Sequence, residues 1–313
     1  MTIAPLLPAT ALLAPRRGTP VDRVFADLPV RLSWYRHGRY DPTTRLDATT
    51  MARAMWSEDG PATALADWSS GRVIVEAWGP GAERAVAAVH AMAAVERRVD
   101  PLPDAHPVVT AAAHRFRGVW AGASGDLYHA LLPTILAQRI TAGEALRQWS
   151  ALCREFGEPA PGPDLGLLLP PRPERLAGRP AWWFHPLGIE AKRARALSEV
   201  ARVADRLWSW ARLPPTEAAH LLGLLRGVGA WTIGSVLGPA CGDDDAVAVG
   251  DYHLPNVVAW NLAGEARADD DRMLALLEPF RGQRGRVIRL LVLAGRRAPA
   301  FGPRQRILPM HRW

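Results

Sequence analysis

Asp251 has the setting in this sequence that best suits chemistry. It follows the apolar residues 246–249 and Gly250, and it precedes a stretch with helical periodicity. An aspartate before a helix is commonly an N-cap, whose carboxylate accepts hydrogen bonds from backbone N–H groups. Such bonds also hold a carboxylate in place and keep it ionised. An N-cap and a reactive carboxylate facing a cleft are therefore compatible interpretations of Asp251.

A glycine turn precedes Asp251 and lies between two stretches with helical spacing. The turn is Gly227-Val228-Gly229, and Trp231-Thr232 follow it. Glycines let the backbone approach another surface closely. The N–H groups of the turn and of the next helix N-terminus form an anion site that suits a phosphate. The alternative is a plain helical hairpin with no phosphate site. The apolar residues on both sides of the turn, with Trp-Thr after it, make the pattern more specific than the two glycines alone.

Composition and charge limit the classes of partner. The chain has 313 residues, of which 49% are hydrophobic, and its net charge is +7. A basic balance fits a polyanion such as nucleic acid. A high-GC coding sequence would produce the same arginine excess, and Lys192 is the one lysine in the chain. Charge by itself therefore favours DNA binding only slightly.

Cysteine and apolar content exclude several kinds of site. Cys153 and Cys241 lie far apart and outside any paired motif. Two thiolates are too few for an iron–sulfur cluster, and this pair fits neither a cysteine zinc site nor a disulfide framework. No apolar run is long enough to span a membrane. A reducing cytoplasm is the predicted compartment.

The spacing of apolar residues predicts an α+β fold. Short β-prone runs lie at 43–48, 50–56, 62–68 and 72–78, and a helix over 83–97 follows them. From about residue 105 the pattern is helical, with Asp126 capping one helix and a single long helix over 190–210. We predict four segments: a flexible leader (1–30), a small antiparallel β/α domain (31–104), an all-α core of two lobes with a cleft between them (105–295) and a basic tail (296–313).

The glycine hairpin and the segment Gly250-Asp251-Tyr252-His253 together resemble the helix-hairpin-helix DNA glycosylase superfamily. Its AlkA-type 3-methyladenine DNA glycosylases are the most similar subgroup. Residues 126–141, which end in Gln-Arg-Ile-Thr, resemble the family's first core helix, and residues 186–197 resemble its LGxxxxKRAxxL helix. The strands and helix at 43–97 resemble the subgroup's TBP-like N-terminal domain. The resemblance covers about residues 31–295.

The resemblance implies an enzyme of base excision repair that removes damaged bases, alkylated purines foremost, from double-stranded DNA. Asp251 matches the family aspartate that stabilises a cationic sugar and acts on water. Family members that also cut the strand use a lysine in the second hairpin helix, and Trp231 matches that position. The resemblance therefore implies a monofunctional glycosylase that leaves an intact abasic site and needs no cofactor for catalysis.

The base pocket that the resemblance implies is less aromatic than that of the subgroup. Trp231 matches a family aromatic, Tyr252 adjoins Asp251, and an ungapped count places Trp34 near another pocket aromatic. Ser235 stands where the subgroup has a tyrosine, and residues 292–294 supply no aromatic on the last helix. Core packing is the alternative for each tryptophan, because the chain has 13 of them. The range of lesions is therefore open.

The resemblance also implies contacts to the DNA backbone and to one ion. Backbone N–H groups of the hairpin would hold a phosphate, and main-chain carbonyls beside it would hold a monovalent cation, Na⁺ or K⁺. Arg139 stands where the family often has a wedge that fills the space of a flipped base, and a surface arginine is the alternative. The residues expected at the DNA are Gln138, Arg139, Gly227, Val228, Gly229, Trp231 and Thr232, and the carbonyl ligands are those of Gly223, Leu225 and Val228.

Two alternatives to an alkylpurine glycosylase are open. One is a protein that senses damage or organises DNA without cleaving it, which would keep the hairpin but would not need Asp251. The other is a glycosylase for deaminated or oxidised bases. In all three cases the predicted partner is double-stranded DNA. We predict a monomer of the bacterial cytoplasm, associated with the nucleoid when it is bound to DNA, with no membrane partner.

Overall fold

The computed structural model describes residues 15–21, 27–94 and 97–297. Its first part is an antiparallel five-stranded sheet in the order β1-β5-β4-β3-β2. Two helices and a 3₁₀ turn at Ser33–Tyr35 accompany the sheet. The strands are β1 (Arg16–Arg17), β2 (Thr44–Leu46), β3 (Thr50–Ser57), β4 (Gly60–Asp67) and β5 (Ile74–Trp78), and the helices are α1 (Leu28–Leu32) and α2 (Ala82–Ala93).

The rest of the described chain is helical apart from its loops. Two 3₁₀ turns, Ala181–Leu187 and Glu278–Phe280, lie between the helices. The helices are α3 (Pro107–Arg115), α4 (Leu127–Leu136), α5 (Ala142–Phe156), α6 (Pro173–Leu176), α7 (Ala191–Arg202), α8 (Ala204–Trp210), α9 (Pro215–Gly223), α10 (Ala230–Cys241), α11 (Leu254–Ala263), α12 (Asp270–Leu277) and α13 (Arg284–Ala294). The predicted α+β class, with an antiparallel sheet before a helical core, is confirmed.

Both faces of the sheet are covered, as the alternation of side chains along β3 requires. Residues two apart on a strand share a face. Met51 and Met55 pack in one buried cluster with α2, whereas Ala52 and Ala54 pack in another with Leu167 of the proline-rich loop after α5. The loop therefore acts as the cover of the outer face of the sheet.

Part of the predicted leader belongs to the sheet. Arg16 and Arg17 pair with residues 76–77 of β5, and Val21 forms a bridge with Val73. The pairing supplies hydrogen-bond partners to an otherwise open edge of β5. A flexible leader is the wrong description for these residues, because the partner strand lies far along the chain and local periodicity does not reveal it.

The single helix predicted over 190–210 is also wrong, because the structure contains α7 and α8 instead. Val203 separates them with φ −111° and ψ 12°. Its N–H group donates to the carbonyl of Val200, three residues back, at 3.3 Å. A β-branched residue has a lowered helix propensity, and at this position the helix tightens and restarts.

Two separate hydrophobic clusters hold the helices together. The larger one joins α4, α5, α7, α8, α9 and α10 and includes the fully buried Trp149. The smaller one joins α3, α11, α12 and α13 and includes Phe280. Helix α10 starts at the glycine hairpin and α11 starts just after Asp251. Each cluster therefore supports one of the two elements that carry the candidate site.

A buried polar network fixes the sheet against α4. Arg53 Nη2 donates to His129 Nδ1 at 2.9 Å. Because arginine can only donate, His129 is neutral and its Nε2 donates to Thr43 Oγ1 at 3.1 Å. Thr43 Oγ1 donates to Asp41 Oδ1, which also accepts from Trp149 Nε1 at 3.0 Å. Burial keeps the pKa of His129 well below its usual range.

Some predictions fall outside what the structure describes. Residues 1–14 and 22–26 of the predicted leader and 298–313 of the predicted tail lie outside the described residues. The domain boundaries at 104 and 295 stay predictions. Within the described part of the chain, no helix has both the length and the apolar character needed to cross a membrane.

Candidate active site

Asp251 lies in the loop between α10 and α11, and backbone groups hold its carboxylate. Its Oδ1 accepts hydrogen bonds from the N–H groups of His253 (2.8 Å) and Leu254 (3.0 Å). Leu254 is the first residue of α11, so the carboxylate lies at the positive end of that helix. The capping position itself belongs to His253. Asp251 lies two residues before the N-cap, and its carboxylate accepts hydrogen bonds from N–H groups at the start of α11.

The second carboxylate oxygen is bound by the hairpin. The Nε1 atom of Trp231, the second residue of α10, donates to Asp251 Oδ2 at 2.9 Å. Three N–H donors therefore hold the carboxylate from two sides. Oδ2 carries one hydrogen bond, so it retains acceptor capacity for a water molecule or for a group with positive charge. The carboxylate is therefore fixed in position, and its Oδ2 atom can still accept a hydrogen bond or contact a positive charge.

Two glycines bring the loop before Asp251 against α10. A Cβ atom on Gly234 would lie 2.1 Å from the carbonyl oxygen of Val247, so only glycine permits this approach. Gly250 has φ +90°, which favours glycine, and its N–H group donates to Asp270 Oδ2 at 2.9 Å. The position of Asp251 beside Trp231 therefore depends on small residues on both sides of the contact.

The glycine hairpin is formed by α9, the turn 224–229 and α10. Gly227 has φ +90°, and a Cβ atom there would lie 2.7 Å from Ala196 Cβ on α7. Gly229 is extended, and a Cβ atom on it would meet no atom within 4 Å. The first N–H groups of α10 have no partner within the helix. The backbone of the turn at Gly229 is therefore uncovered by other residues and lies at the positive end of α10, and both features suit an anion site.

Gln138 and Thr232 lie behind the hairpin. Gln138 Nε2 donates to the carbonyl oxygen of Gly227 and to Thr232 Oγ1, both at 2.9 Å. Thr232 is only 2% exposed. These two side chains therefore fix the shape of the hairpin and tie it to the end of α4. Their contact with DNA stays a prediction.

Arg139 follows Gln138 at the end of α4 and has an unusual backbone. Its φ is +57°, whereas most side chains avoid positive φ. Such a conformation costs about 1 kcal/mol or more and is concentrated at functional sites. The side chain is exposed. Tertiary structure thus holds an arginine on the surface at the position predicted for the wedge.

Two of the predicted pocket residues, Trp231 and Ser235, share one face of α10 with Gly238. Trp231, Ser235 and Gly238 are spaced at i, i+4 and i+7, which places them on one side of the helix. A Cβ atom on Gly238 would lie 2.8 Å from Trp34 Cη2, so the six-membered ring of Trp34 packs at this point. Ser235 Oγ donates to the carbonyl of Trp231 at 2.7 Å. The structure therefore brings Trp34 to the face of α10 that also carries Trp231.

Tyr252, the fourth pocket candidate, follows Asp251 in the loop before α11. Its side chain is 79% exposed, and its ring makes an edge contact with His253 at 4.9 Å between centroids. A place for Tyr252 in the base pocket stays a prediction.

The expected cation ligands are main-chain carbonyls of the hairpin. The Leu225 carbonyl accepts one hydrogen bond, from Val228 N–H at 3.1 Å. Leu225 and Val228 are themselves buried, which anchors the turn. Among the residues described, no group of three or more His, Cys, Asp or Glu side chains could hold a metal ion.

Several important residues were not singled out from the sequence. Gly234 and Gly238 make close approaches to other segments, and a glycine inside a predicted helix is the signal that could have indicated them. Arg289 of α13 places its guanidinium carbon 4.1 Å from the ring centroid of Trp34. No sequence signal indicates that contact, because the two residues belong to opposite ends of the chain.

Comparison with known proteins shows likeness of structure. No protein-family model and no curated protein matches the chain. A 3-methyladenine DNA glycosylase from Archaeoglobus fulgidus matches with a TM-score of 0.70 and 17% identity, over 89% of this chain and 98% of its own. MBOgg1, solved with a low-affinity DNA ligand, gives 0.60 and 14%, over 81% and 99%. Mag1 of Schizosaccharomyces pombe, solved with abasic DNA, gives 0.52 and 15%, over 64% and 97%.

The chain has the helix-hairpin-helix DNA glycosylase fold. The fold that the sequence resemblance implies is therefore confirmed. On this glycosylase fold, the hairpin and the loop that carries Asp251 meet through one hydrogen bond, from Trp231 to the carboxylate.

Proposed function

We propose that this protein is a monofunctional DNA glycosylase that hydrolyses the N-glycosidic bond of damaged purines, alkylated purines among them, in double-stranded DNA. One observation carries the proposal. On a glycosylase fold, the Asp251 carboxylate is held by three N–H donors, and one of them comes from the hairpin helix. A damage-sensing protein without activity would have no need of this arrangement.

The proposed reaction begins with a nucleotide turned out of the duplex, since the glycosidic bond is inaccessible within the stack. The bond between C1′ and the base nitrogen breaks, and its electron pair leaves with the base. The sugar then carries positive charge, which the Asp251 carboxylate stabilises. Water attacks C1′ and loses a proton to Asp251. A cationic alkylated base leaves as a neutral molecule, whereas a neutral base leaves as an anion and takes up a proton. The products are a free base and an intact abasic site.

The absence of strand cleavage is proposed from the amines that the chain offers. A Schiff base with the sugar requires a primary amine. Trp231 occupies the hairpin position at which the resemblance puts the lysine of strand-cutting members. The chain's one lysine, Lys192, lies on α7. Borohydride should therefore trap no covalent adduct with damaged DNA, and a Lys192→Ala variant tests whether any trapped adduct uses that side chain.

We propose that DNA is held through its phosphates at the hairpin. Gly227 packs against Ala196 of α7, and Lys192 lies one turn before Ala196 on the same face. A positive side chain is therefore near the turn whose N–H groups would bind a phosphate. Backbone contacts of this kind give affinity without sequence preference and weaken as salt rises. In this proposal Arg139 enters the space left by the flipped base.

The carbonyl groups of Gly223, Leu225 and Val228 are proposed to hold a monovalent cation. Neutral carbonyl oxygens suit K⁺ and Na⁺, and the Leu225 oxygen has a second lone pair beyond its bond to Val228. The bound ion would add positive charge beside the phosphate. The catalytic role of Asp251 does not depend on it.

A lesion panel tests the proposal. The protein and its Asp251→Asn variant are incubated with otherwise identical duplexes carrying 3-methyladenine, 7-methylguanine, hypoxanthine, 1,N6-ethenoadenine or 8-oxoguanine, and alkali then cleaves abasic sites. The matched control is Asp271→Asn, which makes the same substitution at an exposed residue of α12. We expect release by the protein and by the control. No release from any duplex would refute a glycosylase, and equal release by Asp251→Asn would refute its role.

A further inference from the structure

A stacked tryptophan–arginine pair lies next to the candidate pocket. Trp34 belongs to the 3₁₀ turn after α1, and Arg289 belongs to α13. The guanidinium carbon of Arg289 is 4.1 Å from the centroid of the Trp34 ring, which is a cation–π contact. Arg289 Nη2 donates to the carbonyl of Val30 at 2.8 Å. The contact and the hydrogen bond fix the guanidinium against one face of the indole.

The pair lies at the far end of the α10 face that begins at Trp231. Trp34 packs at Gly238, seven residues after Trp231. At 1.5 Å per residue, seven residues span about 10 Å along the helix axis. That distance accommodates a purine between the Asp251 end of the face and the stacked pair. Ser235, which has a small side chain, lies between the two ends on the same face of α10.

The charge of Arg289 is not neutralised by a carboxylate. Among the described residues Arg289 forms no ion pair, and its buried Nε atom has no hydrogen-bond partner. Burial lowers its pKa to about 10, so the side chain is still protonated at pH 7. The pocket face of α10 therefore ends beside a positive charge that no described carboxylate neutralises.

We propose that the Trp34–Arg289 pair makes this enzyme select neutral purine lesions, such as hypoxanthine and 1,N6-ethenoadenine, over cationic ones, such as 3-methyladenine and 7-methylguanine. The inference rests on the glycosylase function proposed above. A cationic base would meet a guanidinium of like charge, and one of the two indole faces, each of which attracts cations, is already occupied by Arg289. Neutral bases avoid both penalties.

The same charge assists the departure of a neutral base. A cationic base leaves the sugar as a neutral molecule, whereas a neutral base takes the electron pair of the C1′–N bond and leaves with negative charge. The positive charge of the guanidinium stabilises that negative charge as it develops. The base anion then takes a proton from solvent, and water completes the reaction at C1′ as above. Arg289 thus opposes one class of leaving group and favours the other.

The test compares rates on two lesions in one duplex sequence. Single-turnover rates on hypoxanthine and 7-methylguanine are each divided by the rate without enzyme, because the two bases differ in intrinsic lability. We expect the protein to accelerate release of hypoxanthine more than release of 7-methylguanine. Arg289→Met should lower the ratio of the two accelerations at least tenfold, and Arg289→Lys, which keeps the charge, should hold it within threefold.

The outcomes separate this inference from the proposed function. No release from either duplex by the unaltered protein would overturn the glycosylase itself. Release with a larger acceleration for 7-methylguanine, or a ratio that Arg289→Met leaves unchanged, would overturn only the role of Arg289. Arg286→Met, one turn earlier on α13, is the control for general damage to the helix. If Arg289→Met does not fold, Arg289→Gln removes the charge and keeps an amide that can donate to Val30.

Discussion

Asp126 and Asp251 both precede helices, and their surroundings give them different tasks. The Oδ1 of Asp126 accepts from His129 N–H at 2.9 Å and caps α4, and the residue is only 7% exposed. Burial raises the pKa of Asp126 to about 6. Asp251 is half-buried, and an indole N–H group binds its second oxygen. A cap-like sequence is therefore shared by a structural carboxylate and by the carboxylate that we propose to be reactive, and contacts with distant residues distinguish them.

The comparison of Asp126 with Asp251 shows that a position before a helix holds a carboxylate in place but does not by itself make it reactive. Asp126 lies inside the contact between α4 and the sheet, beside Arg53 and His129. Asp251 lies where α10 meets the loop before α11, and Oδ2 has acceptor capacity left. Changes at Asp251 should therefore affect the reaction, and changes at Asp126 should affect stability.

Asp251→Asn should produce the largest effect on the reaction. The amide oxygen can still accept from His253 and Leu254, so the loop should keep its shape, but the negative charge is lost. We expect single-turnover base release to fall by about 10²–10⁴-fold, with little change in melting temperature. A loss below tenfold would place the chemistry on another group.

Gly234→Ala should produce the next largest effect, although residue 234 takes no part in the reaction. Its Cβ atom would collide with the Val247 carbonyl, so the loop that carries Asp251 must move. A displacement of about 1 Å can cost about 10²-fold in rate, and overpacking should cost about 1–3 kcal/mol in the free energy of unfolding. Gly143→Ala on α5, where a Cβ atom has room, is the control and should leave the rate unchanged.

Trp231→Phe should reduce activity less, because it removes one of three hydrogen bonds to the carboxylate. A hydrogen bond to a charged group is worth about 1.5–3 kcal/mol, so base release should slow by about 10–100-fold. Trp182→Phe, at a tryptophan that is 68% exposed, is the matched control. An unchanged rate in Trp231→Phe would show that the backbone donors alone hold Asp251 in place.

Asp126→Asn should change stability and leave base release within about threefold. The pKa of Asp126 is about 6 in the folded protein and 3.8 ordinarily, so the folded state binds the proton more tightly and ionisation destabilises it. Between pH 4 and pH 7 the unfolding free energy of Asp126→Asn should therefore rise relative to the unaltered protein, by up to about 3 kcal/mol. Chemical unfolding at several pH values measures the difference.

His129 affects the pH dependence of stability in the opposite direction to Asp126. Its pKa is lowered by burial, so the folded state disfavours the proton and loses stability as the pH falls below about 6.5. The unaltered protein and the Asp126→Asn variant both contain His129. The difference between their unfolding free energies therefore reports on Asp126. A difference that does not change with pH would mean that Asp126 is not protonated in the folded protein near pH 6.

Much of the architecture could be predicted because it depends on local patterns. Alternation of side chains indicated β2 to β5, and the Asp59-Gly60 signal falls at the observed turn between β3 and β4. Apolar spacing and Asp126 indicated α4. These signals are read within a few residues of one another. The resemblance carried by the hairpin and Asp251 indicated the glycosylase fold.

Contacts between distant segments decided the rest. The pairing of β1 with β5, the cover of the sheet by the loop after α5, and the contact of Trp34 with Gly238 and Arg289 all join residues far apart in sequence. The hydrogen bond from Gln138 to Thr232 likewise joins the end of α4 to the hairpin helix, 94 residues away in sequence.

By itself the sequence determined that Asp251 would stand before a helix, because spacing and capping act over a few residues. Only the tertiary structure decided that the hairpin helix binds its carboxylate and that Arg289 stacks on Trp34 near Gly238. Those arrangements depend on close packing of separate elements, where one atom more at Gly234 or Gly238 would close the space.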